Sequence, residues 1–137
     1  MSTRVLVPMD DSDMSEHALE HALEIYPDAE ITVLHVVGEP SGMMGKATGL
    51  ALADDLEEAA EEHATVIFDR AREIAADREI TTDVAWGSPS KVIVNRAREF
   101  DAVVIGSHGG SLADRLFVGN VAQKVFRHSP TPVTVVR

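Results

Sequence analysis

The chain has 137 residues, enough for one ordinary domain (1–137) with a proper core. A formal charge of −11 argues against nucleic acid or an anionic membrane surface as a partner, since clustered Lys and Arg hold phosphate groups. Cysteine is absent, which removes disulfides, thiol catalysis and thiolate metal sites.

The N-terminus runs straight into Arg4-Val-Leu-Val7, without a basic segment and long apolar stretch. No run approaches the roughly 18 apolar residues that span a bilayer, so a cytoplasmic protein is expected. Lysine is scarce (Lys46, Lys91 and Lys124), and strong acidity with few lysines resembles proteins of high-salt cytoplasm. A halophilic archaeon is the expected source; the plain alternative is an acidic bacterial or archaeal protein.

Arg4 to Met9 is a short apolar strand ending at Pro8-Met9-Asp10-Asp11-Ser12. Asp13 is the predicted N-cap of a helix, with Glu16 at capping-box spacing. Ala18, Leu19, Ala22, Leu23 and Tyr26 form its apolar face, and Pro27-Asp28 stops it. Glu30 to Val37 is apolar and β-branched almost throughout, as expected of a strand buried on both faces. Gly38 to Gly49 reads as a glycine-rich loop of about a dozen residues, long enough to suggest a functional segment. From Leu50 to Asp77 the apolar residues Leu52, Leu56, Ala59, His63, Ile67, Ala71 and Ile74 keep a helical beat, with acidic residues outward.

Glu79 to Trp86 is a third strand, and Ser88-Pro89 starts a helix as N-cap and N1, running to about Arg98. Asp101 to Ile105 is the fourth strand. A glycine loop and a short apolar helical turn (112–117) follow, then a helix from Asn120 to about His128. Pro130-Thr-Pro132 breaks it, and Val133 to Val136 is the last strand. Alternating strands and helices predict an α/β fold, a parallel sheet with helices on both faces. Ligands of such sheets lie outside the strand carboxyl ends, where the winding reverses. The loops after strands one and four both lie at carboxyl ends, and they flank one crevice if those strands are neighbours.

The loop after strand four, Gly106-Ser-His-Gly109 and then Gly119-Asn120, carries the chemistry. Glycines let the backbone approach an anion, and free N–H groups with the helix dipole stabilise its charge. Neither G-x-G-x-x-G nor Gly-Lys-Ser/Thr is present. The G-x2-G-x9-G spacing joins Val7-Pro-Met-Asp-Asp-Ser12, Leu34-His-Val-Val37 and the ending Arg127-His-Ser-Pro-Thr-Pro-Val-Thr-Val-Val-Arg137. Together, in this order and over the whole chain, these segments resemble the universal stress protein family.

The resemblance implies a five-stranded sheet of order 3-2-1-4-5, a homodimer through the last strand and, in one subgroup, ATP with Mg²⁺ or Mn²⁺ carried by its phosphates. It implies that Asp10 meets the ribose while Pro8, Met9 and Val36 line the adenine pocket. Gly106, Gly109 and Gly119 would give the phosphates room, with Ser107, His108 and Val121 close by. One position departs from the pattern: Asn120 stands where the ATP-binding subgroup has Ser or Thr. An Asn amide donates to phosphate with a different geometry, and Asn120 with Gln123 also matches an N-cap and N3 pair.

Other residues keep two readings. Asp10 sits in an Asp-Asp-Ser cluster that makes an ordinary turn, ligand or none. His108 either fills space or faces the triphosphate, and Arg115 either reaches a phosphate or pairs with Asp114 or Asp11. Met43 and Met44 are a nucleotide lid, a partner contact or plain loop. His17 and His21 share a helix face at metal-ligand spacing without an evident third ligand, and His35 is expected to be packed and hydrogen-bonded within its strand. No nucleophile and base stand together, so at most slow ATP hydrolysis is expected. The Val-rich strand 132–136 is an edge expected to pair with a second subunit, alongside unidentified protein partners.

Overall fold

The computed structural model describes residues 2–38, 46–108 and 119–137. Its elements are β1 (Arg4–Pro8), α1 (Asp13–Ile25), β2 (Glu30–Val37), α2 (Lys46–Ala75), β3 (Ile80–Trp86), α3 (Pro89–Ala97), β4 (Ala102–Gly106), α4 (Asn120–His128) and β5 (Val133–Val136). The five strands form one parallel sheet of order β3-β2-β1-β4-β5, as the family resemblance implied.

Side chains alternate across a strand, so each central strand supplies two cores. Val5 and Val7 of β1, Ile31 and Val33 of β2, and Ala102 and Val104 of β4 face Ala18, Leu19 and Ala22 of α1 and Ala64, Ile67 and Ala71 of α2. Leu6, Leu34, Val103 and Ile105 point the other way, onto Ile93 and Ala97 of α3 and Ala122 and Val125 of α4. Full burial of such a side chain stabilises by about 1.5–3 kcal/mol, and both faces need it, which is why these strands read as unbroken apolar runs.

Three helices differ in their boundaries from the sequence reading. The N-cap of α1 is Ser12, whose Oγ accepts from the Ser15 N–H at 3.2 Å, and Asp13 is the first helical residue. Glu16 is therefore free to pair with Arg70 of α2. The second helix begins at Lys46, four residues before Leu50, and ends at Ala75 rather than Asp77. Ala76 takes φ 54°, the left-handed conformation that stops a helix. The third difference concerns α4: its N-cap is Gly119, whose carbonyl accepts from the Gln123 N–H at 2.9 Å, so Asn120 is not a cap.

Candidate functional site

β1 and β4 are neighbours, paired at Val5↔Ala102 and Leu6↔Val103, while β1 sends its chain to β2 on the other side. The winding reverses between them, and a cleft of ≈ 400 Å³ opens there beyond the carboxyl ends. Pro8, Met9, Asp10, Val36, Gly106, Ser107, His108, Gly119, Asn120 and Val121 all line it. Stretches of chain about 110 residues apart thus reach one cavity, in a volume range usual for small-molecule sites. Gly109, Arg115, Met43, Met44 and the helical turn at 112–117 lie outside the described residues.

The turn after β1 is tightly held. Asp10 Oδ1 accepts from the Ser12 N–H at 2.8 Å and from the Ser12 hydroxyl, an Asx turn that leads into α1. Ser15 Oγ donates to the Asp10 carbonyl at 3.0 Å. The expected turn role of Asp10 is therefore real, and its backbone neighbours still line the cleft. His35 is buried, as expected, with Nδ1 2.9 Å from the Met9 carbonyl.

Across the cleft, the loop after β4 is built by close backbone approach. A Cβ on Gly106 would stand 2.9 Å from the carbonyl oxygen of Met14 in α1, so only glycine lets that helix pack there. A Cβ on Gly119 would lie 3.0 Å from the Ser107 carbonyl, and the Gly119 N–H donates to that same oxygen. Gly106 and Gly119 thus have packing reasons in addition to any ligand. Ser107 is 1% exposed, and its Oγ lies 2.9 Å from His108 Nδ1.

Sequence reasoning missed part of the wall. Pro89 and Ile93 of α3, Leu34, Ile105 and Ala122 add apolar surface, and Ser12, Ser15 and His35 add polar groups. Pro89 and Ile93 share one face of α3 and follow a strand carboxyl end, the signal that could have found them. The starts of α1, α3 and α4 all border the cleft, so three positive helix ends face it. An apolar slot beside helix N-termini suits a flat ring joined to an anion.

Comparison with known proteins agrees with this geometry. The model of the universal stress protein family matches residues 1–137. Universal stress protein YxiE of Bacillus subtilis is 30% identical, with all of both chains covered. Among solved structures, the hypothetical protein MJ0577 is 27% identical with a TM-score of 0.78, over 99% of this chain and 96% of that one. A universal stress protein in complex with cAMP is 26% identical with a TM-score of 0.72, over 98% of this chain and 97% of the other. Matched from end to end by the family model and by a full-length relative, the chain belongs to the universal stress protein family.

Proposed function

We propose that this protein is an ATP-binding regulatory dimer of the cytoplasmic stress response, holding the nucleotide in the cleft between the β1 turn and the 106–120 loop. The observation that carries the reading is the convergence of the candidate residues from β1, β2, β4 and α4 on one cavity bordered by three helix N-termini. Leu34, Val36 and Ile93 supply an apolar slot for the adenine ring. Asp10 Oδ1 is committed to its own turn, which leaves Oδ2 to accept from a ribose hydroxyl. Backbone N–H groups at the start of α4 receive the phosphates, and a Mg²⁺ or Mn²⁺ ion arrives with them. The cAMP complex of a relative supports an adenine nucleotide as the ligand class.

Asn120 bears on the alternative, a dimeric interaction protein that has lost nucleotide binding. Gly119 caps α4, so capping does not explain Asn120, which lines the cleft. An Asn amide can donate to phosphate in place of a hydroxyl. Denaturing freshly purified, undialysed protein and chromatographing the released nucleotides tests the reading, alongside ATP, ADP and cAMP titrations in high salt. Near-stoichiometric ATP, or saturable ATP binding, supports it. No released nucleotide and no binding up to millimolar ATP would reject it in favour of the interaction protein.

The dimer forms through β5. This strand is at the sheet edge beside β4, and all four of its residues are half-buried. A Val-rich edge without inward charge invites pairing with a second copy. Val135→Lys is expected to shift the dimer to monomer in sedimentation velocity; an unchanged profile places the interface elsewhere. The acidic, lysine-poor surface belongs to a protein of high-salt cytoplasm, and its melting temperature is expected to rise with molar KCl.

A further inference from the structure

The β1–β2 ladder extends to the Met9 N–H, which donates to the Leu34 carbonyl at 2.8 Å. Beyond that rung the chain turns away into Asp10-Asp11-Ser12, and the Met9 carbonyl is met by a side chain, His35 Nδ1, at 2.9 Å. A carbonyl only accepts, so Nδ1 is the nitrogen that carries a proton in this contact. His35 is 7% exposed on β2 and borders the cleft. The next peptide in the chain belongs to Asp10, whose carbonyl and Oδ1 are held by Ser15 and Ser12. His35 thus anchors the upstream side of a turn that the two serines anchor downstream. From outside, His63 of α2 stands edge-on to the His35 ring at 5.6 Å, with its Nε2 4.0 Å from Asp11 Oδ2.

We propose that His35 is a positioning residue of the nucleotide site: its Nδ1–H fixes the Met9–Asp10 peptide and so orients the Asp10 carboxylate toward the cleft. The consequence for binding rests on the reading of the cleft as an ATP site. The positioning itself does not need the ligand.

Two polar substitutions of similar character separate placement from packing. In His35→Asn the amide nitrogen falls where Nδ1 stands and still donates to the Met9 carbonyl. In His35→Gln the longer side chain carries its amide past that point. The first readout is ligand-free: backbone amide NMR shifts of Asp10, Asp11 and Ser12, with ¹⁵N shifts of the wild-type His35 ring to read the Nδ1–H tautomer. The second is ATP affinity. The expected result is wild-type-like turn shifts and ATP affinity within about twofold for His35→Asn, against displaced shifts and an affinity loss of about tenfold for His35→Gln, the scale of one misplaced buried hydrogen bond. Equal shifts and equal affinities in the two variants, or an Nε2–H tautomer in the wild type, overturn the proposal. Wild type that binds no ATP overturns the nucleotide reading, and the turn shifts then decide the positioning role alone.

Discussion

At the amino ends of the strands a groove of ≈ 770 Å³ is lined by Arg4, Arg72 and Arg78, whereas the carboxyl-end cleft is smaller, ≈ 400 Å³, and has no lysine or arginine among its described lining residues. Counting cations alone would place an anion in the amino-end groove and not in the proposed site. Arg78 donates to the carbonyls of Leu23, Tyr26 and Ala29 at 2.8–3.0 Å, closing the exit of α1. Arg4 donates to the Glu99 carbonyl at 2.7 Å and lies over the Phe100 ring at 4.7 Å, while Arg72 reaches Thr82 and Asp69. Arg4 and Arg78 satisfy backbone carbonyls that converge at this end, and Arg72 ties side chains of α2 and β3. The opposite end gathers helix N-termini, so there the backbone itself supplies the positive potential. In a parallel sheet with helical crossovers this polarity is built in, and it is the reason the proposed nucleotide site lies at the carboxyl end.

The contrast can be broken or sharpened by mutation. The largest effect is expected from Gly106→Ala, because the new methyl group meets backbone atoms of Met14 at 2.9–3.0 Å and neither element can yield cheaply. A stability loss of about 3 kcal/mol in urea unfolding is expected; wild-type stability would show that α1 docks less closely. Arg78→Ala should cost about 2 kcal/mol by leaving three carbonyls without their charged donor, with ATP affinity unchanged in calorimetric titration. A matching loss of ATP binding would mean that the two ends are not independent.

Smaller effects come next. Asp10→Asn keeps Oδ1 for the turn and removes the second carboxylate oxygen, so ATP affinity should fall about tenfold, or ~1.4 kcal/mol, at nearly constant melting temperature. A drop in stability without a change in affinity would return Asp10 to a purely structural role. Ala76→Gly relieves the left-handed backbone that ends α2 and should stabilise by about 1 kcal/mol, read as a rise in the urea midpoint. No gain would mean that glycine's greater unfolded-state entropy offsets the relief.

Much of the fold was open to reading because strands buried on both faces and helices with one apolar stripe leave different periodicities. β2 was read as Glu30–Val37 and β5 as Val133–Val136, without error. Caps were less legible, since Ser12 and Asp13, or Gly119 and Asn120, are adjacent residues that all suit an N-cap. Only the hydrogen-bonded positions of Ser15 and Gln123 choose between them. The glycine loop announced itself by composition, the individual cleft residues such as Pro8, Met9 and Val121 came from the family resemblance, and Pro89 and Ile93 looked like an ordinary helix start.

By itself, the sequence determined the alternation of elements, the two-faced burial of the central strands and the loops that carry phosphate-suited glycines. These follow from local periodicity and from residue types with few conformational alternatives. Tertiary structure decided which distant groups meet. Arg78 caps carbonyls 49 to 55 residues away, His35 holds a carbonyl 26 residues back, and Gly106 is required by the approach of α1. Those contacts depend on the directions of individual side chains after the sheet has closed, and no local pattern in the chain encodes them.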